Sequence, residues 1–378
     1  MRRRRSWATI AVALVLAGCG DGDVGQGPTD EGEPPVVGCT DGSAEGSLTR
    51  VCFPADWNGD LIVYAHGYVE PRAPVVVPEN LVGGTPVEDL VNALGYAYAA
   101  TSYRANGLVA DVAVEDLVAL EEMVRRTVRP DPARVFVVGV SEGGLVAALA
   151  VEREPGRYAG ALAACGPIGD FVRQIDYLND VRVVFDYLFP GVLPGSAIAP
   201  PEELLESWET TYAPAAAAAV AADPERGAEL AGITGMPVEG LDAAALGETV
   251  ASILWYNVLG TADAQERLGG QAYDNADRVY AGSSDDAALN AGVARFAADP
   301  VARAALARFQ TSGDPSAPIS IIHTTGDPIV PFFHQPRYAE KVESAGAAAR
   351  LARNDVERFG HCAFTSTEIL AAFAALPR

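Results

Sequence analysis

The sequence is short of positive charge. Against 50 acidic residues it carries 27 basic ones, a formal charge of -23 over 378 residues, and Lys341 is its single lysine. Four of the bases, Arg2 to Arg5, crowd the N-terminus, so the rest is more acidic still. Such a surface repels phosphate backbones and anionic lipid, which argues against nucleic-acid binding. Histidine is scarce too, with four in the chain, and cysteine with five. No Cys-x-x-Cys or His-x-x-x-His spacing occurs, which argues against a metal site. Apolar residues are plentiful: 49% of the chain is hydrophobic, enough for one large core domain with an insertion, or for two domains.

The N-terminus reads as a targeting segment. "MRRRR" is a charged start, and Ser6 to Gly18 is an apolar stretch too short to span a bilayer as a mature helix. It runs into "LAGC", Leu16 to Cys19, which resembles a bacterial lipoprotein lipobox. That resemblance implies acylation of Cys19 and a bacterial cell-envelope location, periplasmic or on the surface, with the membrane as partner through the lipid anchor. An ordinary signal peptide cut near Ala17 is the alternative. Residues 19–37 have no hydrophobic periodicity and read as a flexible tether. Export implies an oxidising compartment. Cys39 and Cys52 flank a short Gly/Ser-containing loop and are expected to pair. That leaves Cys165 with Cys362, either as a long-range disulfide or as two buried thiols.

Short apolar runs recur along the chain. Asp60 to Tyr68, Gly95 to Tyr103, Ala133 to Ser141, Gly160 to Pro167 and Pro318 to Asp327 read as buried strands, and Ala349 to His361 as a weaker one. Helical patterns lie between them, over Val87 to Leu94, Val112 to Val128, Glu142 to Arg153, Pro336 to Ser344 and Glu368 to Leu376. Near-continuous apolar strands alternating with helices predict an α/β fold with a mostly parallel sheet, covered on both faces. Residues 168–311 break the rhythm. Alanine-rich helix formers dominate there, with no convincing strand, so the segment reads as a helical insertion.

The chemistry gathers around "VVGVSEGGLVAALA", Val137 to Ala150. Gly139-Val140-Ser141-Glu142-Gly143 matches G-x-S-x-G between an expected strand and an expected helix. A turn tight enough to lift the serine hydroxyl above a sheet tolerates only small neighbours, and it aims helix N–H groups at a reacting carbonyl. A serine needs a base. His66 sits at a strand end, His323 reads as a satisfied core side chain, and His334 as a surface or cap-facing residue. His361 follows the last strand, where it would lean over the strand ends toward Ser141. Asp327, between Gly326 and Pro328 just past a buried strand, is the candidate acid; Asp355 and Asp170 fit less well.

The order Ser141, Asp327, His361 resembles the α/β-hydrolase superfamily, over about Cys39 to Ile168 and Ala317 to Arg378. The elements that carry the likeness are "GVSEGG", the "HGY" after an early strand, "GDPIVP" and the terminal "GHCAF". The resemblance implies an eight-stranded, mostly parallel sheet, Ser-His-Asp acyl-transfer chemistry and no cofactor. It implies backbone N–H donors for an oxyanion at Glu142 and Tyr68. The Glu142 side chain reads as a carboxylate favoured near a helix N-terminus. The same geometry brings Cys362 near Cys165, as in the tannase/feruloyl-esterase group, where a cysteine follows the catalytic histidine. That group pairs it with a residue directly before the serine, which here is Val140.

Tyr103, Arg104 and Asn106, at the end of their strand, either touch substrate or brace neighbouring loops. Trp208, Trp255 and Tyr256 either line a pocket or pack the insertion. The expected organisation is a lipoprotein signal peptide over 1–18, a tether over 19–37, a hydrolase core over 38–167 and 312–378, and a helical cap over 168–311. The expected activity is hydrolysis of a small-molecule or polymeric carboxylic ester. A serine peptidase of aminopeptidase type and a catalytically silent binding protein are the rivals.

Overall fold

The computed structural model describes residues 36–377. Cys19 and the signal and tether readings over 1–35 lie outside the described residues. Eight strands form one sheet: β1 (Gly38–Ala44), β2 (Ser47–Phe53), β3 (Asp60–Ala65), β4 (Ala97–Thr101), β5 (Arg134–Val140), β6 (Gly160–Ala164), β7 (Ile319–Gly326) and β8 (Leu351–Phe359). Their order across the sheet is β1-β2-β4-β3-β5-β6-β7-β8. β1 and β2 form an antiparallel hairpin that joins β4 antiparallel. Every other neighbouring pair is parallel.

The central strands are apolar because both of their faces are covered. Every residue of β3, β4 and β6 is buried. On one face Leu61, Val63, Val137 and Ile321 pack against α2 (Ala110–Thr127) and α3 (Glu142–Arg153). On the other, Ile62, Tyr64, Val138 and Ile322 pack with residues of α1 (Val87–Ala93).

The first hairpin was not foreseen as strands. Six of the seven residues of β1 are exposed, so it lacks the apolar run that marks its neighbours. What makes it a strand is its turn: Glu45 and Gly46 both have positive φ, the backbone that joins two strands through a two-residue loop. Cys39 stands directly opposite Cys52 across this hairpin, and the two form a disulfide.

Between β6 and β7 the chain is helical. Two long helices, α4 (Phe171–Leu188) and α5 (Ala243–Leu268), organise it with several shorter ones; a single bridge, Ser196 with Ala199, is its only strand-like pairing among the described residues. Aspartates start several of these helices by accepting a backbone N–H, as Asp170 does for Arg173 and Asp242 for Ala245. The alanine run forms a helix, Ala213–Ala222, that lies close against α5; a side chain at Gly247 would collide with the Ala217 carbonyl. The segment has its own apolar cluster, including Val181, Phe185, Leu204, Trp208, Val250 and Leu254, to which the core lends Ile329 and Val330. Trp208 is part of that packing. Asp176 takes both Arg278 and Arg303, and Asp180 takes Arg278, Tyr273 and Tyr280, tying the loop after α5 back to α4.

Two further helices, α6 (His334–Ser344) and α7 (Ser366–Ala374), complete the core. Tyr338 and Val342 of α6 join the apolar cluster that holds α2 and α3, with the Tyr338 hydroxyl on Glu152 of α3, and Ala372 of α7 joins the cluster on the face of α1. α7 starts with a capping box in which Thr365 and Glu368 each take the other's backbone N–H.

Candidate active site

Ser141 stands between β5 and α3, at the N-cap of the helix, with φ 59° and ψ -125°, a backbone that costs a non-glycine residue about 1–3 kcal/mol. The turn closes because its neighbours lack side chains. A Cβ on Gly139 would collide with the Gly143 carbonyl, and one on Gly143 with the Ala65 carbonyl. The Ser141 N–H donates to Ala164 O on β6 at 2.9 Å, fixing the turn to the next strand.

Three side chains meet at this edge. Ser141 Oγ lies 2.9 Å from His361 Nε2, and His361 Nδ1 lies 2.7 Å from Asp327 Oδ2. Asp327 is fully buried just past β7, and its other oxygen accepts the backbone N–H groups of Ile329 and Val330, each at 2.9 Å. Burial pushes its carboxyl up, but the facing His361 and His323 outweigh that and hold it at about 2. It is therefore an anion throughout the neutral range. The competing acids are engaged elsewhere. Asp170 caps α4, and Asp355 pairs with Arg353.

The remaining histidines serve the scaffold. His66 stacks on Tyr103 at 4.0 Å with Nδ1 on Gly67 O, and burial lowers its pKa. His323 is buried with Nε2 on Val330 O, 3.5 Å from Asp327, so this core residue also touches the acid. His334 is not at the surface. It is fully buried; Nδ1 accepts the N–H groups of Gly169 and Asp170 and Nε2 donates to Gln174. The core helix α6 thereby holds the first residues of the insertion. "PFFHQP" hid this because the aromatic pair and the proline mask a helix start.

Cys165 and Cys362 are joined, with Cα atoms 5.4 Å apart. Cys362 Sγ lies 3.3 Å from His361 Nε2, so the disulfide stands against the imidazole. Cys165, Cys362 and His361 crowd together as metal ligands do, but the two sulfurs are bonded to each other and offer no thiolate.

Beside Ser141 a cavity opens between the strand ends and the insertion. Apolar side chains form most of its wall, among them Leu108, Phe171, Ile175, Leu178, Leu268 and Ile329. Its volume is about 120 Å³, room for a short chain rather than a folded peptide segment. Tyr68 and Glu142 line it. The backbone N–H groups of both have no protein acceptor among the described residues, which leaves them available beside Ser141.

Several side chains differ from expectation. Glu142 does not serve its own helix. Its carboxyl reaches the start of α2 and accepts the Val109 N–H at 3.1 Å. Burial pushes it up to about 8, against the pull of the Val109 and Ala110 N–H groups. Tyr103 is fully buried behind His66, and Arg104 pairs with Asp116 and Glu115; neither lines the cavity. A buried acid on α2 drew Arg104 away, a partner no strand pattern reveals. Asn106 braces a loop by donating to Ala73 O. Trp255 stands behind the wall, edge-on to Tyr68 at 5.9 Å, and its neighbour Tyr256 is the one that faces the cavity. The polar wall residues Asn179, Asn257 and Gln271 were not foreseen, since nothing in an alanine-rich segment distinguishes them from surface amides.

Residues 89–177 match the model of the prolyl oligopeptidase family, a stretch that runs from α1 through the Ser141 turn into α4. No curated protein matches the sequence. Among solved structures, the chain is similar to the Pyrococcus horikoshii acylaminoacyl peptidase (11% identity, TM-score 0.42), covering 86% of this chain and 37% of that one. It is also similar to an esterase from Aspergillus oryzae (13%, TM-score 0.48; 86% of this chain, 72% of that one). A third is feruloyl esterase B from the same organism (14%, TM-score 0.44; 85% and 73%). The chain thus spans little more than a third of the peptidase it resembles. With its mostly parallel sheet, its helices on both faces and its serine on a strand-to-helix turn, the chain has the α/β-hydrolase fold.

Proposed function

We propose that the protein is a serine hydrolase that cleaves carboxylic esters through an acyl-enzyme. The observation that carries this reading is the continuous contact from Ser141 Oγ through His361 to a buried, ionised Asp327. The Ser141 oxygen attacks the ester carbonyl while His361 Nε2 takes its proton. The backbone N–H groups of Tyr68 and Glu142 hold the oxyanion; each such donor contributes about 10²- to 10³-fold in rate. The C–O bond to the alcohol then breaks, and His361 gives its proton to the departing oxygen. Water, deprotonated by the same imidazole, attacks the acyl-serine, releases the acid and restores the Ser141 hydroxyl. No cofactor enters these steps.

The small, mostly apolar cavity favours an ester with a short acyl chain. The match of residues 89–177 to a peptidase family supports a second reading, hydrolysis of a peptide bond by the same residues. One assay separates the two: p-nitrophenyl esters against aminoacyl-nitroanilides, with fluorophosphonate labelling to count active serines. Faster turnover of the anilides would overturn the ester reading. Failure of the probe to label Ser141 in folded protein would overturn both.

Export and lipid anchoring at Cys19 belong to the same proposal and rest on "LAGC". Palmitate labelling of the full chain in a bacterial host should disappear in Cys19→Ala. Labelling that survives the replacement would sink the anchor. In this reading residues 168–311 act as a cap that bounds the substrate site.

A further inference from the structure

Some buried polar side-chain atoms among the described residues have no protein partner, and four of them belong to residues that line this one cavity: Tyr68 Oη, Glu142 Oε2, Asn257 Oδ1 and Gln271 Oε1. Glu142 is 6% exposed and Asn257 2%, so neither is solvated from outside. Leaving such groups unmatched is costly, which makes their concentration at one site informative. The amide orientations are fixed by their other ends. Asn257 Nδ2 donates to Ala197 O and Asn179, and Gln271 Nε2 donates to Ala297 O, so each carbonyl oxygen is the unmatched end.

The side of the site can be read as well. A leaving group must reach His361 Nε2 to be protonated, and His361 does not line the cavity. The cavity therefore holds the part of the substrate that stays on the serine. An ammonium on that part would suit a carboxylate, but two of the acceptors are neutral amides. The Glu142 carboxyl, pushed up by burial, is itself largely protonated near neutral pH. A hydroxyl matches the hydrogen-bonding chemistry of each of these atoms. It donates to an amide oxygen, and it accepts from the Tyr68 phenol or from a protonated carboxyl.

We propose that this cavity is the acyl site and selects a mainly aliphatic acyl chain carrying a hydroxyl group, an inference that rests on the serine hydrolase reading above. The apolar wall takes the chain, and the unmatched oxygens take the hydroxyl. A site built to bind a hydroxyl discriminates against the analogue that lacks it, because its own polar groups then stay unpaired.

The test compares p-nitrophenyl hexanoate with its 3-hydroxy and 6-hydroxy derivatives, and each of those with its methoxy ether. At least one hydroxy ester should show kcat/KM about tenfold above hexanoate, and its ether should lose that gain. The ratio should fall toward one in Gln271→Met or Asn257→Leu. Because each ratio is taken within one protein, a loss of stability cancels. Ratios within twofold of one for both hydroxy esters, in wild-type protein whose Ser141 is labelled by fluorophosphonate, would overturn the acyl preference and leave the hydrolase standing. A preference that survives both replacements would overturn it too. Unlabelled Ser141 would bring down both readings.

Discussion

Removing the disulfide beside the imidazole should weaken the protein in two separable ways. The link between Cys165 and Cys362 closes a loop of 197 residues, which contains the whole insertion and β7. Loop-closure entropy alone assigns such a link about 5 kcal/mol at 25 °C, near the top of the range of about 2–5 kcal/mol seen when native disulfides are removed. Replacing both cysteines by serine should therefore lower the unfolding free energy by about 2–5 kcal/mol, read as a fall in the urea midpoint with a steeper slope, because the unlinked denatured chain is less compact. The second effect is local. Cys362 follows His361 directly and touches its ring, so losing the link frees the loop that presents His361. A misplacement of about 1 Å costs on the order of 10²-fold, so kcat per labelled serine should fall between about tenfold and a hundredfold. Cys39 and Cys52 supply the control. They span 13 residues at the far edge of the sheet, so their removal costs at most about 3 kcal/mol and leaves kcat unchanged. If Cys165→Ser/Cys362→Ser kept both its urea midpoint and its kcat, the reasoning would be refuted.

The other predictions concern single residues. Asp327→Asn should keep the fold but lower kcat about 10⁴-fold, because the amide holds the imidazole in the wrong tautomer; kcat within tenfold of wild type in a stopped assay would exclude Asp327 as the orienting acid. His334 is buried neutral with its pKa well below the ordinary 6.5, so the unfolded chain binds the extra proton first as pH drops. Stability is then present above pH 6.5 and lost below it. Thermal melts from pH 8 to 5 should show His334→Asn losing less than wild type over the same interval. Glu142 titrates in the opposite sense, from 4.5 unfolded to about 8 folded, so its contribution is full below pH 4.5 and declines as pH rises toward 8. Glu142→Gln should flatten that decline in urea titrations at pH 5 and 8. Gly139→Ala should cost about 3 kcal/mol, since the backbone it strikes cannot move aside; a melting temperature within 1 °C of wild type, which in a chain of this length corresponds to less than about 1 kcal/mol, would contradict the close approach.

Much of this arrangement is legible in the sequence, for a common reason. β3, β5 and β6 are buried on both faces, so burial wrote an unbroken apolar run into each. The Ser141 turn was legible because its glycines answer to steric contact, which tolerates no substitute. Where one residue's neighbours come from distant chain, the pattern was silent. β1 owes its existence to a turn and a partner strand, not to its own exposed residues. Arg104 turned to Asp116 and Glu142 to α2 because those partners lie across the sheet edge, and neither reach has a period or a spacing. His334 does face the insertion, one of its two expected settings, but its full burial was hidden for the same reason: its partners at Gly169, Asp170 and Gln174 are more than 150 residues away in sequence. The cavity amides are ordinary residues until the helices that carry them are packed.

The loop at residues 107–109 has a consequence for how such a protein changes over time. The Leu108 N–H is taken by Asp263 from α5, the next N–H by Glu142 beside the serine, and Arg267 reaches back to Asn106 O. A Cβ at Gly107 would strike the Asp263 carboxylate. The insertion and the Ser141 turn are thus stitched to adjoining peptide units. An exchange of the inserted segment for another would leave the Leu108 N–H unclaimed and loosen the peptide that seats Glu142. Insertion and turn are therefore inherited together: a transplanted roof must bring its own Asp263 to find the turn beneath it intact.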